Sequence, residues 1–150
     1  MSRYASDYLT GKRNLPQPYD GIASEVPFKF VLPAILSVGD ILAIATIPAG
    51  VQIVDYKVVA TQLDSNGVPT LAHSIGVENA AKTDLATVFE AGLIFGRTTS
   101  GSVSRGTVSV PGLDTTALTA DRVIALKTTT AAATAALAGK TIIVMLYLVN

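Results

Sequence analysis

Residues 38–76, VGDILAIATIPAGVQIVDYKVVATQLDSNGVPTLAHSIG, decide the fold. Ile41 to Ile47 is nearly all apolar and reads as a strand. Pro48-Ala49-Gly50 fits a type I turn, with Pro at the second corner and Gly at the fourth. Gln52 to Thr61 then places Val54, Tyr56, Val58 and Ala60 on one face and Asp55 and Lys57 on the other. Asp64-Ser65-Asn66-Gly67 is the strongest turn signal in the chain: Asn and Gly tolerate positive φ, and Asp bonds its own backbone. Leu71 to Ile75 is the returning strand. No helical segment separates these runs, so they read as three successive strands of antiparallel β structure joined by tight turns.

The flanking segments extend that pattern. Val26 to Leu32 alternates, with Phe28, Phe30 and Leu32 facing in and Lys29 out, and Pro33 closes it. Thr141 to Leu148 is apolar on both faces, which belongs in the middle of a sheet. Asp121 to Lys127 and Thr107 to Val110 read as further strands, with Pro111-Gly112 a turn. Between Asn79 and Phe95 the period changes: Thr83 can cap a short helix, Leu85, Val88 and Phe89 fall at helical spacing, and Gly92 limits its length. Gly96 to Gly106 and the Ala/Thr-rich stretch Thr128 to Gly139 read as loops. The count is about eight short strands, the pattern of an all-β jelly roll or sandwich. Residues 1–25, broken by Gly11, Pro16, Pro18 and Gly21, form a polar arm before a single β domain over residues 26–150.

Composition narrows the partners. Eleven basic and eleven acidic side chains cancel without a long run of one sign, which argues against attachment to nucleic acid, where clustered Lys and Arg are needed. Charged residues make up only 15% of the chain, against roughly 25% in ordinary domains, and mean hydropathy is +0.48. Two readings compete, burial of the outer surface against partner chains or a mere richness in small Ala and Thr, and the first is favoured because low charge with high apolar content marks interface cores. The longest apolar runs, Ile41 to Ala49 and Ile142 to Val149, are far short of the ~20 residues that span a bilayer as helix. The IIVMLYLV strand does not alternate as a membrane barrel strand would, and the polar N-terminus lacks a signal peptide's apolar region. No membrane association is expected.

Catalytic chemistry finds little support. Gly76 to Thr83, GVENAAKT, is one substitution from the phosphate-binding pattern GxxxxGK[ST]. Ala81, however, replaces the second Gly, Glu78 adds a negative charge to the cradle, and the context is antiparallel rather than βαβ. The segment reads instead as a strand-to-helix connection. The single His, His73, shares a face with Leu71 and Ile75 and reads as a hydrogen-bonded core residue. Asp40, Asp64, Asp114 and Asp121 sit near turns or strand starts, where capping explains them. With no Cys, no Trp and no HxH or HExxH cluster, neither an enzyme nor a metal or cofactor site is expected.

In their order, these pieces resemble the small capsid cement, or decoration, proteins of tailed bacteriophages. The likeness runs from about Phe28 to Val149: a polar arm and a strand, then VGDILAIATIPAGVQI, a strand ending in LDSNGVPT, an SIG turn, DLATVFEAG and a closing apolar strand. The resemblance implies a jelly roll that sits as a multimer, dimer or trimer, on the outer surface of the expanded capsid. There it would hold major capsid protein subunits together, after synthesis in the bacterial host cytoplasm, and it carries no catalytic residues. The arm is longer than the resemblance calls for. Its spaced Tyr4, Tyr8, Leu15 and Tyr19, with Arg13 between them, are the candidate anchors to capsid or sister subunits. The alternative is a fibre or tail β domain that binds carbohydrate or a host receptor, which would need exposed aromatic residues in its loops.

Overall fold

The structure, a computed structural model, describes residues 1–15, 22–98, 102–106, 119–135 and 139–149. Among these are nine strands: β1 (Arg3–Ala5), β2 (Ser24–Val31), β3 (Ile41–Ile47), β4 (Gln52–Ala60), β5 (Ala72–Glu78), β6 (Leu85–Leu93), β7 (Ser102–Gly106), β8 (Arg122–Thr130) and β9 (Thr141–Val149). They form two sheets, a five-stranded sheet in the order β1-β3-β8-β5-β6 and a four-stranded sheet in the order β2-β9-β4-β7. Every pairing is antiparallel except that of β1 with β3.

The alternation of side chains sets the sandwich. In β2, Val26, Phe28 and Phe30 are buried while Glu25, Pro27, Lys29 and Val31 are exposed. In β9, Ile142, Val144, Leu146 and Leu148 point inward. These side chains meet Leu42, Ile44, Ile75, Ile124 and Leu126 of the other sheet in one core. As its two apolar faces require, β9 lies in the interior of its sheet, between β2 and β4.

The strands of residues 38–76 are joined differently from the expectation. β3 lies in the five-stranded sheet, β4 in the four-stranded sheet and β5 back in the first, so the connections carry the chain between sheets and close no hairpin. The Val51 N–H donates to the Pro48 carbonyl at 3.3 Å. The turn thus starts at Pro48 and puts Gly50, at φ 87°, in its third corner, as a type II turn demands and a type I turn does not. A bulge between Ile53 and Asp55 then shifts the register of β4 against β9. It turns Ile53 inward and leaves Val54 42% exposed, so Val54 does not share the buried face of Tyr56, Val58 and Ala60.

The helix expected after Asn79 is absent. Residues 79–84 are a turn, closed by Asn79 N–H to the Asp84 carbonyl at 2.8 Å and Lys82 N–H to the Asn79 carbonyl at 2.9 Å. The chain then returns as β6 against β5. Leu85, Thr87 and Phe89 alternate with the exposed Ala86 and Val88, so period two overrides the helical spacing of Leu85, Val88 and Phe89. The physical reason lies across the pairing. Gly76 has no side chain, and a Cβ there would stand 1.9 Å from the Thr87 carbonyl oxygen. The two backbones meet closely at a place only glycine permits. The supposed loop at residues 96–106 contains β7. The strand expected over Thr107 to Val110 and the turn after it lie outside the described residues.

Candidate functional site

The arm does not extend away from the body. β1 lies parallel along β3, with Tyr4 opposite Leu42, and is the outermost strand of its sheet. Polar groups hold it on both sides. The Ser2 N–H donates to the Asp40 carboxylate, which also accepts the Ser37 N–H at 2.9 Å. Ser6 donates its N–H to the Ala43 carbonyl at 3.0 Å and its hydroxyl to the Ile44 carbonyl. Arg3 forms a two-pronged pair with Glu78 of β5, Nε to Oε1 at 2.6 Å and Nη2 to Oε2 at 2.8 Å. The Glu78 side chain is 1% exposed. This pair holds the Arg3 guanidinium above its ordinary pKa, against the opposing effect of burial. A buried carboxylate needs such a partner, because an isolated charge away from water is costly.

Beyond Ser6 the chain coils tightly, with the N–H groups of Lys12 and Arg13 both on the Asp7 carbonyl at 2.9 and 3.1 Å. This folds Tyr8 back onto Phe28, edge to face, with ring centroids 4.7 Å apart. Tyr4, Tyr8 and Leu15 each pack, partly buried, against the core. Arg13 stands apart from them, exposed on the outside of the coil. Tyr19 lies outside the described residues.

A groove of about 560 Å³ runs between the arm and the second sheet. Arg3, Tyr4 and Asp7 form one wall, and Lys29 to Pro33 form the other. It therefore follows the flank where β1 and β2, the outer strands of their sheets, lie side by side. Its charges are of both signs, which suits a protein surface better than a polyanion.

The remaining candidates for chemistry serve the fold. His73 is fully buried, stacked on Phe95 with centroids 4.3 Å apart, and its Nδ1 lies 3.3 Å from the Thr128 hydroxyl. Burial, reinforced by the nearby Arg97 charge, lowers its pKa to about 3. Such a group stays neutral and cannot shuttle protons near neutrality. The histidine binds protons more readily in the unfolded chain, so stability falls as pH drops from about 6.5 toward 3. Replacing His73 with Gln should flatten this part of the pH dependence, measured as urea midpoints between pH 7 and pH 4. An unchanged slope would assign the acid sensitivity elsewhere.

Asp64 accepts five backbone N–H groups, and Asp121 accepts the Ala49 N–H at 3.0 Å. Both acids fit the turn and capping roles expected of them, as does Asp40; Asp114 lies outside the described residues. Tyr56 gives its hydroxyl to Glu90, and burial together with this carboxylate pushes the phenol's pKa well above its ordinary value. Gly76 to Thr83 forms the end of β5 and the turn into β6, not a phosphate cradle. No cluster of three or more His, Cys, Asp or Glu able to hold a metal occurs among the described residues.

What this structure offers, then, is surface. The same architecture occurs in two solved structures. The chain is similar to one in the capsid of Ralstonia phage GP4, at 28% identity with a TM-score of 0.78, over 99% of this chain and 97% of that one. It is similar in fold to a chain in the capsid asymmetric unit of cyanophage Pam1, at 15% identity with a TM-score of 0.56, over 93% and 96% of the two chains. No family model and no curated protein matches it. Both likenesses thus extend along nearly the whole length of the chain. Sequence patterning missed the pairing of β1 with β3 and the buried Arg3–Glu78 pair. A three-residue strand carries no periodicity, and nothing local links residues 75 positions apart.

Proposed function

We propose that the protein is a structural component of a phage virion that binds the outer surface of the mature capsid as a multimer and cements contacts between major capsid protein subunits. The observation that carries this reading is the end-to-end similarity, in sequence and fold, to a chain of the Ralstonia phage GP4 capsid. The strand order supports a jelly roll: apart from β1, the sheets read β3-β8-β5-β6 and β2-β9-β4-β7, two interlocked sets of four from eight consecutive strands. The reading assigns no catalytic residue. A protein that binds only the assembled shell adds its binding free energy to the shell's stability by mass action. Rigidity and contact area are what such work requires.

The arm and the flanking groove are the surfaces we assign to the shell or to sister subunits. The arm residues we assign to those contacts are Tyr4, Tyr8, Arg13, Leu15 and Tyr19; of these, Arg13 is exposed, and Tyr4, Tyr8 and Leu15 are partly buried against the core. Replacing Arg13 with Glu, at an exposed position, should weaken binding to purified shells by about tenfold while leaving the melting temperature unchanged. Undiminished shell binding would remove Arg13 from the interface.

Quantitative mass spectrometry of purified virions against the major capsid protein tests the function itself. Hundreds of copies, in simple ratio to capsid subunits, are expected. A few to a few dozen copies would transfer the protein to the tail or fibre, and absence from the particle would overturn the reading.

A further inference from the structure

β9 poses a problem that the sandwich leaves unsolved. Its inward residues Ile142, Val144, Leu146 and Leu148 are fully buried, but Ile143, Met145 and Val149 on its other face are also apolar and remain partly exposed. The register continues this face sideways. Pro27 lies beside Met145 on β2, Val31 lies beside Thr141, and on β4 Val59 lies beside Ile143. Pro27 and Val31 are both exposed, Val31 to 59%. An apolar stripe of this kind across the centre of a sheet marks a surface that another protein covers.

The strand edges are poor alternatives. β2 carries Pro27, which has no N–H to offer, and an exposed Lys29, two devices that discourage the addition of a strand. On the other sheet, the outer strand β6 pairs with β5 through several register shifts, which make it irregular. At β2 and β6, association through the face is favoured over association through the edge.

The charges around the stripe point to its occupant. Glu25 lies in the row of Tyr147 and Lys29 in the row of Ile143, so the two stand symmetrically on either side of the Pro27–Met145 row. A two-fold axis along that row lays one β9 antiparallel over another and places Glu25 opposite the second copy's Lys29, twice. Lys57 lies on the same row as Met145, so the axis sets it opposite the second copy's Lys57, and the two Asp55 carboxylates, each two residues along β4, flank that pair on either side. Isologous contacts need a surface that is complementary to itself, and the Glu25–Lys29 pairing supplies that complementarity.

We propose that the outer face of the β2-β9-β4-β7 sheet is the contact between two copies of this chain, packed sheet on sheet about Met145. This gives the multimer of the capsid-binding reading its contact surface and rests on that reading for its purpose, but its test needs only the isolated chain. Sheets stacked in this way lie about 10 Å apart, with strands about 30° from aligned. The outward side chains would then fill the gap, as those of a sandwich core do.

Sedimentation equilibrium of the full chain should show a dimer. Met145→Glu should raise its dissociation constant by about 30-fold or more, with the circular dichroism spectrum of the folded chain retained. Glu25→Lys and Lys29→Glu each set like charges face to face and should each weaken the dimer by about tenfold. The double exchange restores both pairs and should recover wild-type association, a rescue that only the two-fold arrangement predicts. A chain that stays monomeric, a dimer indifferent to Met145→Glu, a trimer, or a double variant as weak as the singles would each overturn the proposal. Should the wild-type chain be monomeric and Met145→Glu lose binding to purified shells, the capsid covers this face; the dimer is then wrong while the capsid-binding reading stands.

Discussion

Asp64→Asn is expected to destabilise the protein by about 3–5 kcal/mol, the cost of breaking a buried, fully bonded charged network. For a chain of this length that is a fall of roughly 10 °C in melting temperature. The carboxylate is completely buried. One oxygen accepts the N–H groups of Asn66 at 3.2 Å and Thr134 at 3.1 Å. The other accepts those of Thr70 at 2.9 Å, Leu71 at 3.1 Å and Ala133 at 2.9 Å. Together they join the loop before β5 to the loop after β8. An asparagine amide would aim an NH2 group at two or three of these donors whichever way it flips. Burial alone would raise the pKa of this carboxyl, but the N–H groups of Thr134, Ala133, Asn66 and Thr70 outweigh it and hold the group well below the usual carboxylate range. The stabilisation is therefore complete above the unfolded value near 4 and drains away as pH falls toward the folded value. Urea denaturation at pH 7 and pH 3 checks both parts: the variant should lose most at pH 7 and differ less from wild type in acid. A loss under 1 kcal/mol at pH 7 would mean that Asp64 is not the tie between these loops.

Gly76→Ala should cost about 3 kcal/mol or more, at the upper end of overpacking penalties. The new methyl group would stand 1.9 Å from the Thr87 oxygen, 2.9 Å from its carbonyl carbon and 3.0 Å from the Val88 Cα. All three are backbone atoms, so no side chain can swing aside and β6 must move away from β5. Hydrogen exchange would show faster amide exchange in β6 than in β2 or β9, together with the lowered melting point. A variant within about 0.5 kcal/mol of wild type, the range of ordinary surface substitutions, would show that the two strands part at little cost.

These two positions also mark how far the sequence could be read. The Asx turn at Asp64 was legible, because Asp-Ser-Asn-Gly is local chemistry and the Asn66 N–H does bond the Asp64 side chain. Its bonds to Ala133 and Thr134, roughly 70 residues away, left no local trace. Phe28 and Phe30 were legible because period two under one-sided burial is written into the residue order of β2, and β9 was legible as an interior strand because it is apolar on both faces. Leu85, Val88 and Phe89 misled because a helical spacing and a bulged strand share those positions; the deciding residue, Gly76, lies on the neighbouring strand. β3, β4 and β5 were recognisable as strands, but not their alternation between sheets. The partners that fix it are distant, as with Ile41 beside Lys127. For the candidate surface, Tyr4, Tyr8 and Leu15 stood out by spacing, but spacing did not show that each packs, partly buried, against the chain's own core. The groove beside them arises only once β1 and β2 lie on one flank, which no local pattern encodes.

The place of β9 has a consequence for how the chain matures. The strand latest in chain order fills the slot between β2 and β4, so on a ribosome the four-stranded sheet waits for the residues after 140. Until then β2 and β4 have no common neighbour and their apolar inner faces stay unsealed, the condition in which nascent chains aggregate or recruit chaperones. Pairings this distant in sequence also slow the final collapse, since loops must close before contacts repay them. A chain broken off before residue 141 would lack the strand that joins β2 to β4 and leave that sheet open. Closure of the four-stranded sheet is thus timed by the arrival of β9.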